Sequence, residues 1–127
     1  MDTLTQTTTR ALSATSLNGT KVVNSAGENL GHIEDMMIDL NNGRILYAVL
    51  SFGGVMGIGD KLFAVPFGAF TINQHDENFI LDVDQEHLEN APGFDKNDWP
   101  LSSDMEFRNR VYEYYSIEPY WEFAALR

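Results

Sequence analysis

An Asn42-Gly43 pair stands between two long strand-like runs, and no other feature of the sequence limits the fold as strongly. Both residues tolerate positive φ, which the two-residue type I′ turn of a tight hairpin requires. The run before the pair, Glu28 to Leu40, should therefore lie antiparallel to the run after it, Arg44 to Phe52. In the first run Leu30, His32, Glu34, Met36, Ile38 and Leu40 alternate with Ile33, Asp35, Met37 and Asp39. The alternation falters at Glu34, where a bulge or local twist is expected. The second run is of another kind, because Ile45-Leu46-Tyr47-Ala48-Val49-Leu50 is apolar on both faces. Such a strand needs cover on both sides, from a second layer of its own chain or from a partner.

Four shorter runs have strand character: Thr20–Val23, Lys61–Val65 (stopped by Pro66), Phe70–Ile72 and Phe79–Val83. Turn-forming segments separate them, at Ser25-Ala26-Gly27, at the glycine-rich Val55–Asp60 and at Asn73–Asn78. No convincing helix precedes residue 84, so parallel pairing through helical crossovers has no room. The expectation is a mostly β fold, a small six-stranded antiparallel barrel or sandwich.

The chemistry changes after residue 84. Asp84 can cap a helical turn through His87-Leu88-Glu89, and Ala91-Pro92-Gly93 ends it. Asp95 to Pro100 reads as a polar turn carrying Trp99. Ser103 and Glu106 form a capping-box pattern, which predicts a helix from Asp104 to about Tyr115. Phe107, Val111 and Tyr114 or Tyr115 share one face of that helix, and Glu106 and Arg110 stand at favourable i, i+4 spacing. The chain then divides into a Thr-rich leader at 1–13, a β domain at 14–92 and a C-terminal extension at 93–127. In the extension, Tyr114, Tyr115, Tyr120 and Trp121 are the candidate interaction residues. Their rings must be buried on the β domain, on a second copy of the chain or on another protein. The turn at 95–100 could also act as a hinge for a swap between copies.

Charge and composition exclude several functions. Eight Lys and Arg face 19 Asp and Glu, a net charge of −11, and residues 71–127 alone carry 4 basic and 13 acidic side chains. A phosphate backbone or an anionic membrane surface needs the opposite balance. The absence of cysteine removes disulfides, thiol nucleophiles and thiolate metal sites. The first residues lack a secretory pattern. The longest uncharged run, Ile45–Gly59, has 15 residues including four glycines, too short to span a bilayer. A cytoplasmic protein without membrane insertion or nucleic-acid binding is expected.

No constellation announces catalysis or a cofactor. Gly54-x₄-Gly59-Asp60-Lys61 has an aspartate where a phosphate loop needs its lysine, and a strand where that loop needs a helix. His32, His75 and His87 have no mutual metal-ligand spacing. Asp39-x-Asn41-x-Gly43 opens like a calcium loop but lacks the rest, and Asp82, Asp84 and Glu86 only alternate. No catalytic, cofactor-binding or metal-binding residue is therefore nominated.

Together, Gly27–Asp35, Asn42–Ser51, Gly53–Lys61 and Ala64-Val65-Pro66 closely resemble the PRC-barrel domain over roughly residues 14–92. That family includes the cytoplasmic domain of the photosynthetic reaction-centre H subunit. The continuation Asn90–Lys96, Asp98-Trp99-Pro100 and the ending Tyr114-Tyr115-x₃-Pro119-Tyr120-Trp121 are similar to small stand-alone prokaryotic members. The resemblance implies a six-stranded barrel that acts through protein contacts and carries no catalytic residues. The expected function is a non-catalytic interaction or assembly module, a homodimer or the partner of another protein. The alternative is a small-ligand or divalent-cation binder using the acidic Asn73–Glu86 region.

Overall fold

The computed structural model describes residues 12–53, 60–73, 78–101 and 104–121. The glycine-rich segment 54–59, His75 and Ser103 lie outside them. In chain order the elements are α1 (Ala14–Leu17), β1 (Lys21–Val23), β2 (Asn29–Asp39), β3 (Arg44–Gly53), β4 (Asp60–Val65) and a 3-10 turn (Phe67–Ala69). They continue with β5 (Phe70–Asn73), β6 (Asn78–Leu81), α2 (Gln85–Glu89), β7 (Gly93–Asp95) and α3 (Met105–Tyr114). The strands form one sheet in the order β5-β6-β1-β2-β3-β4-β7.

Three features of this sheet correct the expected six-stranded antiparallel barrel. There are seven strands among the described residues, and β1 runs parallel to β6. No helical crossover is needed for that pair, because four intervening strands of the same sheet carry the chain from β1 round to β6. The seventh strand, Gly93-Phe94-Asp95, pairs with Lys61-Leu62-Phe63. No ladder joins β5 to β7 among the described residues, so the sheet is not closed.

Bulges decide which side chains face inward. The β2–β3 register shifts between Ile33 and Asp35, which places an irregularity at Glu34, as the faltering alternation predicts. A second shift, in β1–β2, falls opposite Leu30. Leu30 and Ile33, three apart, consequently both reach the inner core. A third shift leaves Leu46 between the Met37↔Tyr47 and Ile38↔Ile45 pairs and turns it to the same side as Tyr47.

The hairpin loop is also not the expected two-residue turn. Asp39 pairs with Arg44, leaving Leu40 to Gly43 as a four-residue loop. Asp39 captures it: its Oδ1 accepts from the amides of Asn41 (3.0 Å) and Asn42 (3.3 Å), and its Oδ2 accepts from the Asn42 side chain (2.9 Å). Gly43 takes φ +65° and Asn42 does not take positive φ. A carboxylate positioned to bind successive amides outweighs the intrinsic I′ preference of Asn-Gly.

Two apolar layers result. The inner one gathers Val22, Leu30, Ile33, Ala48, Leu50, Phe52, Phe63, Val65, Phe79 and Leu81, with Leu17 of α1 and Leu88 of α2 packed into it. The outer one gathers Leu46, Tyr47, Val49, Leu62 and Ala64 under Phe94, Phe107, Val111, Tyr112 and Tyr120. The doubly apolar strand is thus covered twice by its own chain. Among the described residues no helix is long and apolar enough to cross a membrane.

Candidate interaction surface

Helix α3 brings the C-terminal extension onto the outer face of the sheet. Its N-cap is Asp104, whose carboxylate accepts from the Phe107 amide at 2.9 Å, one residue later than the capping-box pattern placed it. Aspartate serves as well as serine at this position, and its negative charge suits the helix N-terminus. Phe107, Val111 and Tyr112 form the buried stripe. The ring of Phe107 meets Tyr47 edge-on at 6.0 Å and Phe94 at 6.1 Å. The Tyr112 hydroxyl donates to the Leu46 carbonyl of β3. The expected Glu106–Arg110 ion pair does not form among the described residues, and Arg110 lies instead over the Phe107 ring.

The four candidate aromatics divide between two junctions. Tyr114 stacks on His87 of α2 with centroids 4.4 Å apart, and its hydroxyl donates to the His87 carbonyl at 2.6 Å. Tyr115 meets the same imidazole edge-on, and both tyrosines pack against the inner core rather than along the Phe107 stripe. Burial pushes the Tyr115 phenol well above its ordinary value. Ser116 then takes φ 58°, and the Ile117 amide donates back to the Tyr112 carbonyl, closing the helix and reversing the chain. That reversal returns Tyr120 and Trp121 to Tyr112, with rings 6.3 and 4.8 Å away. Tyr120 is 8% exposed and Trp121 is half-buried, so all four aromatics are engaged within the chain. Covering the tail or the second face of β3 therefore requires no second copy.

Tyr120 also ties the extension to the hairpin tip. Its hydroxyl donates to Asp39 Oδ2 at 2.7 Å, and the Arg44 guanidinium sits 4.2 Å from its ring centroid. The Asn42 side chain lowers the pKa of Asp39, and the Tyr120 hydroxyl adds to this against the opposing effect of burial. Burial, reinforced by Asp39, pushes Tyr120 well up. Burial alone accounts for most of the rise of Tyr112 to about 12. A carboxylate with a depressed folded pKa stabilises the fold above its unfolded value and loses that contribution as pH falls through the folded one. Asp39→Asn should lower stability at neutral pH by about 1–3 kcal/mol, the usual worth of charge-assisted bonds. The gap from the parent should close as pH drops below 3.8, the ordinary value for this group. Thermal melts of both proteins across pH 2–7 would reveal it, and a gap independent of pH would remove the charged role of Asp39.

Next to this bond lies an open groove of about 310 Å³ lined by Arg44, Ile45, Phe67, Ile117, Glu118 and Tyr120, with Gly68 and Tyr112 completing its wall. Beside it Ile38 is 50% exposed and Leu40 88%. Sequence periodicity placed both residues on a strand and did not single them out. The available signal was a leucine heading a loop whose other members, Asn41, Asn42 and Gly43, are all turn formers.

The other candidates do not assemble. His32 Nε2 lies 3.2 Å from Glu34 on an exposed stretch of β2, and His87 is stacked on Tyr114. Asp82 accepts from the Ser25 hydroxyl, and Asp84 caps α2 through the His87 amide, as its position predicts. No group of three or more histidines and carboxylates among the described residues could hold a metal ion. Compared with known proteins, the family model of the PRC-barrel domain matches residues 10–88. No curated protein matches the chain.

Proposed function

The chain belongs to the PRC-barrel domain family, and from that premise we propose that it is a non-catalytic protein-interaction module that self-associates in the cytoplasm. The observation that supports this reading is the exposed hairpin tip, with Leu40 at 88% and Ile38 at 50%, next to an open apolar groove. Loop tips of a free-standing domain are ordinarily polar, and an apolar projection beside an apolar recess is characteristic of a contact surface. In this reading the curled sheet is the family's barrel. Leu17 of α1 and Leu88 of α2 pack into its core.

The chain carries a net charge of −11, so like-charge repulsion opposes association at low salt. Association through apolar contact should therefore strengthen as salt screens that repulsion. Sedimentation of the purified protein over a concentration series, at low and moderate salt, tests the proposal. The expected result is a concentration-dependent shift from 14.3 kDa to twice that mass, favoured by salt. A single 14.3 kDa species up to the highest soluble concentration would overturn self-association.

A further inference from the structure

We propose that the hairpin tip of one copy, Ile38 and Leu40, seats in the groove of a second copy, and that the two copies do this reciprocally. The inference rests on the self-associating reading above and assigns its surface.

The groove favours an apolar occupant. Its two tyrosine hydroxyls are already engaged, Tyr112 with the Leu46 carbonyl and Tyr120 with Asp39. The tyrosine rings themselves are buried, and the apolar surface open to a visitor comes from the part-exposed side chains of Ile45, Phe67 and Ile117. A polar metabolite would find few donors to replace its water, whereas a leucine side chain needs none.

Placement supplies the second reason. Asp39, between Ile38 and Leu40 in sequence, is bonded to Tyr120, which lines the groove. Ile38 pairs across the hairpin with Ile45, which also lines the groove, so projection and recess are neighbours. An isologous contact requires this arrangement, because the two-fold axis must carry each projection onto the other copy's recess. The tip can reach its partner without disturbing Asp39, whose bonds all point into its own chain.

Charge is complementary as well. The groove holds one cation, Arg44, and one anion, Glu118, both exposed, and no ion pair joins them among the described residues. Across a two-fold axis Arg44 of one copy can face Glu118 of the other. Two such attractions would offset part of the repulsion between acidic chains and fix the register of the contact.

The cysteine-free sequence permits a direct test. Gly68 lies in the groove wall, and a Cβ there would meet nothing within 4 Å. Leu40→Cys and Gly68→Cys, purified separately with different tags, should give a mixed disulfide on oxidation after mixing. Neither variant alone should give as much covalent dimer. In sedimentation, Leu40→Asp and Gly68→Phe should each weaken association about 10-fold or more, the effect of losing a central contact. Arg44→Glu and Glu118→Arg should each weaken it, and the double exchange should restore it. Far-UV circular dichroism matching the parent confirms that each variant is folded. If the parent protein is monomeric, the self-associating reading fails and this inference fails with it. If the parent dimerises but the variants do so equally and no mixed disulfide forms, only the assigned surface is wrong.

Discussion

Gly31→Ala is expected to abolish stable folding. Gly31 has φ +104°, a backbone state that side-chain-bearing residues rarely adopt. The larger obstacle is steric. A Cβ at this position would stand 2.0 Å from the Ser51 carbonyl oxygen, 3.0 Å from its carbon and 3.1 Å from the Phe52 Cα. All three atoms belong to the main chain of β3, whose neighbours Ala48, Val49 and Leu50 are fully buried. The strand cannot withdraw without breaking the His32↔Ser51 and Ile33↔Leu50 pairs and opening the inner core. Overpacking and backbone strain together should cost more than about 4 kcal/mol, most of the stability of a domain of this size. Gly43→Ala is the internal control. That residue also has positive φ (+65°), but nothing lies within 4 Å of its Cβ position, so about 1–2 kcal/mol is expected. Urea denaturation of the two variants would separate steric exclusion from backbone preference. Equal midpoints would show that the close approach of β2 to β3 at Gly31 is not what the fold depends on.

The second large effect is expected from uncovering the outer face. Val49 and Ala64 are fully buried, and Tyr47 and Leu62 are 3% exposed, beneath α3 and its neighbours. Each large side chain removed from water contributes roughly 1.5–3 kcal/mol. Truncation after Pro100 deletes Phe107, Val111, Tyr112 and Tyr120 at once and leaves only Phe94 and Trp99 over the outer side of β3 and β4. The truncated chain should aggregate, or fold only with that face covered by another copy. A finer probe is Val111→Asp, which puts a carboxylate at a position with no exposed surface. It should cost more than about 3 kcal/mol, because nothing among the rings of the outer core can solvate the charge. Val111→Ala should cost less, as a small cavity without a buried charge. If the truncated protein stayed soluble and monomeric with the parent's urea midpoint, the extension would not be part of the folded unit.

The same contacts bear on the proposed self-association. In the sequence the doubly apolar strand and the aromatic tail both require cover, which a dimer would supply. In the folded chain they cover each other, and the surface proposed for a partner is the hairpin tip and its groove. The distinction matters experimentally. Mutations in Tyr114, Tyr115, Tyr120 or Trp121 act first on stability, whereas Leu40 is free to be changed without touching the core.

Sequence alone determined whatever depends on contiguous residues. The antiparallel pairing of Glu28–Leu40 with Arg44–Phe52 follows from two strand-like runs joined by turn formers. The irregularity at Glu34 follows from a broken period, the end of β4 from Pro66, and the cap of α2 from Asp84. The need for cover on both faces of β3 follows from its composition. Tertiary structure decided everything that is a choice among distant partners. The parallel contact of β1 with β6 joins segments more than 50 residues apart, and no local pattern encodes it. Strand β7 is three residues long and extended only because Lys61–Phe63 pairs with it. The loop after Asp39 is set by a carboxylate that also receives the Tyr120 hydroxyl from the far end of the chain. The outer cover comes from the chain's own C-terminal extension. Periodicity and turn chemistry are energies of neighbours along the chain and can be read there. Register between distant strands, and the identity of a covering layer, depend on which of many long-range contacts bury the most surface together, and only the assembled fold makes that selection.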